Sequence, residues 1–308
     1  MEPKRKNLLI ILGPTCVGKS TTSVKIARIF NGEIINCDSR QVYQGFDIGT
    51  DKMTPDQRGN IPHHLLDIIS SSTVFNAADF IRLALEAIGN IRKKNKIPII
   101  TGGTGLYLKA LLDGLFPEGK SDANIRNRLE AEAKTNGLKS LSDRLKTIDP
   151  KYAEKIGTND KFRIIRALEV FESTNIPLTE QFAQTRSFVA DFHVLKIGLK
   201  IDRQILYTNI EKRVDKMFTG EGLVNEVKTL LDNGARAESP PFKALGYKHV
   251  LKHLKGELTL EETVMLTKRD TRHYAKRQMT WFRKMEGIEW FNPEEFDSLV
   301  ERTKEFLE

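Results

Sequence analysis

Five apolar residues in a row, Leu8–Leu12, follow a charged start and stop at Gly13. A continuous apolar run this short is the pattern of a strand buried on both faces. Helical spacing follows over Lys19–Phe30, and Glu33–Cys37 reads as a second strand. Ala77–Lys94 has helical periodicity, and Ile97–Thr101 reads as a third strand. Gly102-Gly103 then leads into a helix through about Asp113. Strand, glycine turn and helix in repeating order predict an α/β fold with a parallel sheet and crossover helices.

The pattern changes from about Ser121 to Arg186, where no strand is predicted. Ala123–Lys134, Leu138–Thr147 and Lys161–Ser173 are charged and amphipathic, as in a helical insertion. Phe192–Ile201 alternates and returns to the sheet as a strand. Helices are expected at Gln204–Met217, Leu223–Asn233, Lys243–Leu254 and Leu260–Lys284, with a last short strand at Ile288–Phe291. The implied organisation is a core domain of 1–120 and 190–308, interrupted by an all-helical domain at 121–189. A length of 308 residues suits one main domain plus an addition.

Composition narrows the setting. No apolar run approaches the roughly 20 residues of a membrane span, and Leu8–Leu12 is too short for a signal peptide. The two cysteines, Cys16 and Cys37, make neither a disulfide framework nor a metal-binding pair, so a reducing cytoplasm is expected. The net charge of +8 is unevenly placed: residues 242–284 hold 11 Lys/Arg against 4 Asp/Glu, which focuses base where a polyanion can bind.

The strongest local motif is Gly13-Pro14-Thr15-Cys16-Val17-Gly18-Lys19-Ser20, a match to the P-loop pattern G-x-x-x-x-G-K-[ST]. Its glycines let successive amides turn toward one point, and the following helix adds partial positive charge there. Lys19 can place its ammonium on terminal phosphates, and Ser20 can hold Mg2+. A tight turn with a chance lysine and serine is the alternative, but the strand before and helix after favour the cradle. Such a loop specifies a di- or triphosphate, ATP included, without fixing the reaction.

Two further positions lie where an open parallel sheet binds ligands, outside its strand C-terminal ends. Asp38 follows the second strand and has three open roles: Mg2+ ligand, general base, or turn cap with Ser39. Thr104, after the third strand in Thr101-Gly102-Gly103-Thr104-Gly105, either offers a hydroxyl to the site or caps a helix. His63 and His64, adjacent and therefore pointing apart, suit hydrogen-bonding roles better than metal ligation. Cys16 fits a tight turn as a small side chain.

Taken in order, these motifs resemble a known family. They are Gly13–Ser20, Ile35–Tyr43, Asp47-Ile48-Gly49-Thr50, Pro62-His63-His64-Leu65, Gly102–Tyr107 and Lys276–Arg283. Together they resemble the bacterial type of tRNA dimethylallyltransferase, the isopentenyl-tRNA transferase family, over about Leu8 to Phe291. The resemblance implies a P-loop core with an inserted helical domain. It also implies transfer of dimethylallyl from dimethylallyl diphosphate to the exocyclic amine of the adenosine beside the anticodon of tRNA, position 37. Gly13, Pro14, Thr15, Cys16, Val17, Gly18, Lys19 and Ser20 would hold the donor diphosphate, with Mg2+ at Ser20 and Arg213 as a further diphosphate contact. Asp38 would be the general base, with Thr104 near the reacting centre. The tRNA contacts would be Asp38, Ser39, Arg40, Gln41 and Thr104, with Arg126 and the run Phe162, Arg163, Ile164, Ile165 and Arg166. Lys243, Ala244, Leu245, Gly246, Tyr247 and Lys248 would join them, as would Lys276, Arg277, Gln278, Met279, Thr280, Trp281, Phe282 and Arg283.

The chemistry is self-consistent. The exocyclic amine is a poor nucleophile because its lone pair is delocalised into the ring, and a carboxylate taking its proton helps. A P-loop suits the negative charge that builds on a leaving diphosphate. An unpaired loop lowers the cost of drawing the base out of its stack. Along the basic helix, Lys and Arg can sit on phosphates and an aromatic can stack on a base, although at least one of Trp281 and Phe282 is expected in the core. Three alternatives share the core: a nucleoside or nucleotide kinase, a non-catalytic RNA-binding P-loop protein, and a prenyltransferase for free adenine nucleotides. A monomer is expected.

Overall fold

The computed structural model describes residues 6–115, 122–220 and 222–308. It divides into two compact units, one running to Lys109 and resuming over Asp191–Glu308, the other spanning Ala110–Ala190. The expected boundary at 120/121 lies outside the described residues.

In chain order the elements are β1 (Asn7–Leu12), α1 (Lys19–Ile29), β2 (Gly32–Cys37), α2 (Pro55–Arg58), β3 (His63–His64), α3 (Ala77–Lys93), β4 (Ile97–Gly102) and α4 (Gly105–Asp113). Then come α5 (Ala123–Thr135), α6 (Gly137–Ile148), α7 (Pro150–Ile156), α8 (Lys161–Thr174) and α9 (Leu178–Ala183). The chain continues through β5 (His193–Leu199), α10 (Arg203–Met217), α11 (Gly222–Asp232), α12 (Tyr247–Leu254), α13 (Leu260–Phe282), β6 (Ile288–Phe291) and α14 (Phe296–Leu307). A short 3-10 turn at Pro240–Lys243 precedes α12.

The six strands are all parallel, in the order β3-β2-β4-β1-β5-β6. β1 lies inside the sheet, between β4 and β5, and Leu8 to Leu12 are fully buried. Complete burial of one such side chain stabilises by about 1.5–3 kcal/mol. Register then positions the site. Leu12 and Cys37 both stand opposite Gly102, so Gly13, Asp38 and Gly103 leave the sheet along one edge. That edge is where open α/β sheets bind ligands.

The expected helix over Lys243–Leu254 starts only at Tyr247. Gly246, at φ 84°, breaks the chain between the 3-10 turn and α12. The longest helix, α13, opens with a capping box between Thr259 and Glu262. Its Thr263, Thr267 and Thr271 are buried and bond the carbonyls four residues back, which leaves a narrow face that packs closely.

The second unit has a core of its own, built on Leu129, Leu141, Leu145, Ile164, Leu168 and Leu178. Asp149, itself buried, caps α7 at Tyr152 and accepts from Thr179 at the start of α9.

Candidate active site

A glycine-rich loop, a turn after β2 and a turn after β4 meet around one cavity of about 660 Å³ in the first unit. Gly13 and Gly18, at φ 152° and 97°, adopt backbone that other residues rarely do. A side chain at Gly13 would also stand 2.7 Å from the Leu199 carbonyl on β5. Cys16 is left-handed at φ 64° although it has a side chain, so this loop stores local strain.

Lys19 opens α1 and folds back so that Nζ donates to the Pro14 carbonyl at 2.7 Å. Burial lowers its amine to about 8, partly opposed by neighbouring Cys16 and Asp38. Arg213, from α10, donates through Nη1 to Thr15 Oγ1 at 2.6 Å and stands 3.4 Å from Asp51. Asn209, one turn earlier on α10, donates to the Cys16 carbonyl at 3.4 Å. The first turns of the loop are therefore gripped from α10 as well as from the sheet.

Asp38 closes the turn that was one of its open roles. Its Oδ1 accepts the backbone N–H groups of Arg40 at 2.8 Å and Gln41 at 3.3 Å, closing a turn. The same residue lines the cavity with Lys19 and Arg213. Thr104 faces it across the turn: its Oγ1 accepts from the Ser39 amide at 3.1 Å, and its own amide donates to the Cys37 carbonyl at 3.3 Å. Its carbonyl also receives the first bonds of α4, from Tyr107 and Leu108. Arg40 reaches the Pro240 carbonyl at 2.8 Å, and Gln41 the Thr50 carbonyl at 3.0 Å.

The Asp47–Thr50 motif has its partner on α11. Glu226 accepts from the amides of Asp47, Ile48 and Gly49 and from the Tyr247 hydroxyl, the last at 2.5 Å. Gly49 lies so close to the Tyr247 ring that a Cβ would collide with it. Burial raises the Glu226 carboxyl, and the four donors oppose that. His64 bonds Glu33 at 2.8 Å and His63 bonds the Ile61 carbonyl at 2.8 Å, both hydrogen-bonding roles.

Not every residue expected to face an RNA does so. Ile164 and Ile165 belong to the core of the second unit, because α8 turns them inward while Phe162 and Arg163 stay exposed. Arg126 and Arg166, half-buried, both pair with the buried Glu169, at 2.8 and 3.1 Å. Tyr247 and Ala244 sit in an aromatic core with Phe46 and Phe242, and Gly246 is buried beside them. Lys243 is exposed, Leu245 lines the cavity, and Lys248 bonds Asp270 at 2.7 Å. On α13, Phe282 is fully buried and Gln278 points inward, whereas Lys276, Arg277, Thr280, Trp281 and Arg283 are exposed and Met279 half-buried. A helix buries one face, so a continuous run along it cannot all touch one ligand.

Asp51, Asn209 and Glu226 hold the site in ways that no local motif announces, and Gln278, expected as a tRNA contact, bonds the Thr15 amide and the Gly103 carbonyl. Tyr274 lines the cavity from α13, and burial, with Asp38 nearby, raises its hydroxyl.

Comparison with known proteins shows the family. The family model described as IPP transferase matches residues 41–285. The tRNA dimethylallyltransferase 2 of Geotalea uraniireducens is 46% identical over 302 residues, covering 97% of each chain. The tRNA dimethylallyltransferase of Acetivibrio thermocellus is 44% identical, covering 98% of this chain and 97% of its own. The crystal structure of a tRNA isopentenylpyrophosphate transferase from Bacillus halodurans superimposes with a TM-score of 0.72 at 39% identity, covering 98% of this chain and 97% of that one. A eukaryotic dimethylallyltransferase, captured acting on tRNA, gives a TM-score of 0.80 at 31% identity, covering 92% of this chain and 73% of its own.

Proposed function

The chain belongs to the IPP transferase family, and from that premise we propose how its cavity transfers a dimethylallyl group to tRNA. The donor is dimethylallyl diphosphate, held by the loop Gly13–Ser20 with Lys19 and Arg213. The acceptor is the exocyclic amine of the adenosine at position 37, beside the anticodon. One observation supports this above the rest: Lys19 and Arg213, suited to a diphosphate, line the same cavity as Asp38, suited to accept a proton.

The amine nitrogen attacks the carbon that carries the diphosphate. The carbon–oxygen bond breaks, a carbon–nitrogen bond forms, and the electron pair leaves on the diphosphate. Asp38 accepts the proton that the nitrogen sheds. Lys19 and Arg213 stabilise the charge growing on the leaving group. The exposed cations Lys276, Arg277 and Arg283 seat phosphates, and Trp281 offers a face for stacking.

Mg2+ fits the residues present. Among the described residues no cluster of three or more His, Cys, Asp or Glu could hold a metal, yet Ser20 lines the cavity together with Asp38. Mg2+ commonly takes one or two protein oxygens and completes its shell with phosphate and water. Bound there, it would neutralise diphosphate charge.

Among the described residues no helix is long and apolar enough to cross a membrane. We place the enzyme, as a monomer, in the cytoplasm. The test is transfer of label from radiolabelled dimethylallyl diphosphate to unmodified tRNA with Mg2+ and without ATP. Label that vanishes when the adenosine at position 37 is replaced is the expected result. Phosphate transfer from ATP instead would favour the kinase alternative.

A further inference from the structure

We propose that Gln278 is a positioning residue, a single carboxamide that sets the spacing between the donor loop and the acceptor turn. Its Oε1 accepts the Thr15 amide at 2.9 Å, and its Nε2 donates to the Gly103 carbonyl at 2.9 Å. The orientation is fixed by chemistry, because an amide N–H only donates and a carbonyl only accepts. The side chain is 5% exposed, so neither bond is readily replaced by water.

Both ends of the clamp lead directly to reacting groups. On one side Thr15 carries the hydroxyl that receives Arg213. On the other, Gly103 precedes Thr104, whose hydroxyl holds the amide next to Asp38. The carboxamide lies so close to Gly103 that a Cβ there would collide with Nε2, and a Cβ at Gly105 would press on Trp281 at 3.2 Å. α13 therefore seals onto the turn after β4 by direct contact, with a glycine at each touching point.

The role rests on the donor and acceptor assignment above. A clamp between two loops acts on how reacting atoms meet, not on how either substrate is held. Misplacement by about 1 Å costs roughly 100-fold in rate. Gln278→Met removes both hydrogen bonds at similar size. Gln278→Glu keeps an acceptor for Thr15 but sets a carboxylate against the Gly103 carbonyl.

The experiment measures single-turnover transfer, donor affinity and tRNA affinity for wild type and both variants. The expected result is a rate about 10- to 100-fold lower in Gln278→Met, with both affinities within about 3-fold of wild type. Gln278→Glu should lose at least as much rate, because its carboxylate repels the Gly103 carbonyl, and it decides the matter alone should the Met variant not fold. Unchanged rates in folded variants would overturn the role. So would a loss confined to donor affinity or to tRNA affinity, since that marks a ligand contact. Wild-type protein that transfers no label would overturn the donor and acceptor assignment and this role together, whereas active wild type with unaffected variants sinks the role alone.

Discussion

Asp38 closes a turn with the carboxylate that we propose as the base, and the two tasks can be separated. One oxygen closes the turn through the Arg40 and Gln41 amides, while the group as a whole faces the cavity. Asparagine keeps an oxygen for those amides but cannot take up a proton at neutral pH. Asp38→Asn should therefore preserve tRNA affinity within about 3-fold and lower the single-turnover rate by about 10²–10⁴. Asp38→Ala should match that loss and also loosen the turn, which a weaker tRNA affinity would register. A near-wild-type rate in Asp38→Asn would remove Asp38 as the base. The motifs that pointed to this residue were local and therefore legible. Its supports were not: Gln278 stands 263 residues from Thr15, and Glu226 stands 178 from Ile48. A buried glutamine in a basic stretch looks like any polar residue until the helix face it occupies is known.

Elements were legible where burial or periodicity was strong. β1 and β4 are covered on both faces and so read as largely apolar runs, and β2, equally buried, shows only Ile34-Ile35 between Glu33 and Asn36. β3 has two residues, too few for any period, and α7 and α9 are each shorter than two turns of helix. α14 escaped for a different reason: its inward Phe296, Leu299, Thr303 and Phe306 are interleaved with acids and bases at the end of the chain. On α13 the same inward–outward logic assigns the cations. Lys276, Arg277 and Arg283 are exposed, whereas Lys268 and Arg272 pair with Asp215 and Glu211 on α10. Replacing the first three by Ala should weaken tRNA binding and flatten its salt dependence by up to about 0.7–0.9 log unit per lost phosphate contact. Replacing Lys268 and Arg272 should change that slope much less. Equal effects from both sets, measured by affinity across a salt series, would mean that α13 presents no particular face to the RNA.

At the scale of the molecule, one buried carboxylate ties together the sheet side that ends in β3. Glu33, 1% exposed on β2, accepts from His64 on β3, from Lys94 after α3 and from Lys96 before β4, at 2.8, 3.2 and 2.9 Å. Burial alone would raise its carboxyl, but hydrogen bonds from His64, Lys96 and Lys94 outweigh burial and hold it at about 2, below the ordinary 4.5. A carboxyl depressed on folding adds stability that is complete above its unfolded value and fades as pH falls through its folded one. The loss from Glu33 should therefore begin near pH 4.5 and finish around pH 2, and amount to something on the order of 3 kcal/mol. Glu33→Gln should be less stable than wild type by about that amount at neutral pH, measured by urea unfolding. As the pH is lowered through this window the two curves should converge, because protonated Glu33 resembles the glutamine. A gap that stays constant into acid would mean that the carboxylate is not the group holding β2, β3 and β4 in register. The active-site turn would then depend at its base on the strand ladder and packing, since Asp38 stands only five residues beyond Glu33 on the same strand and turn.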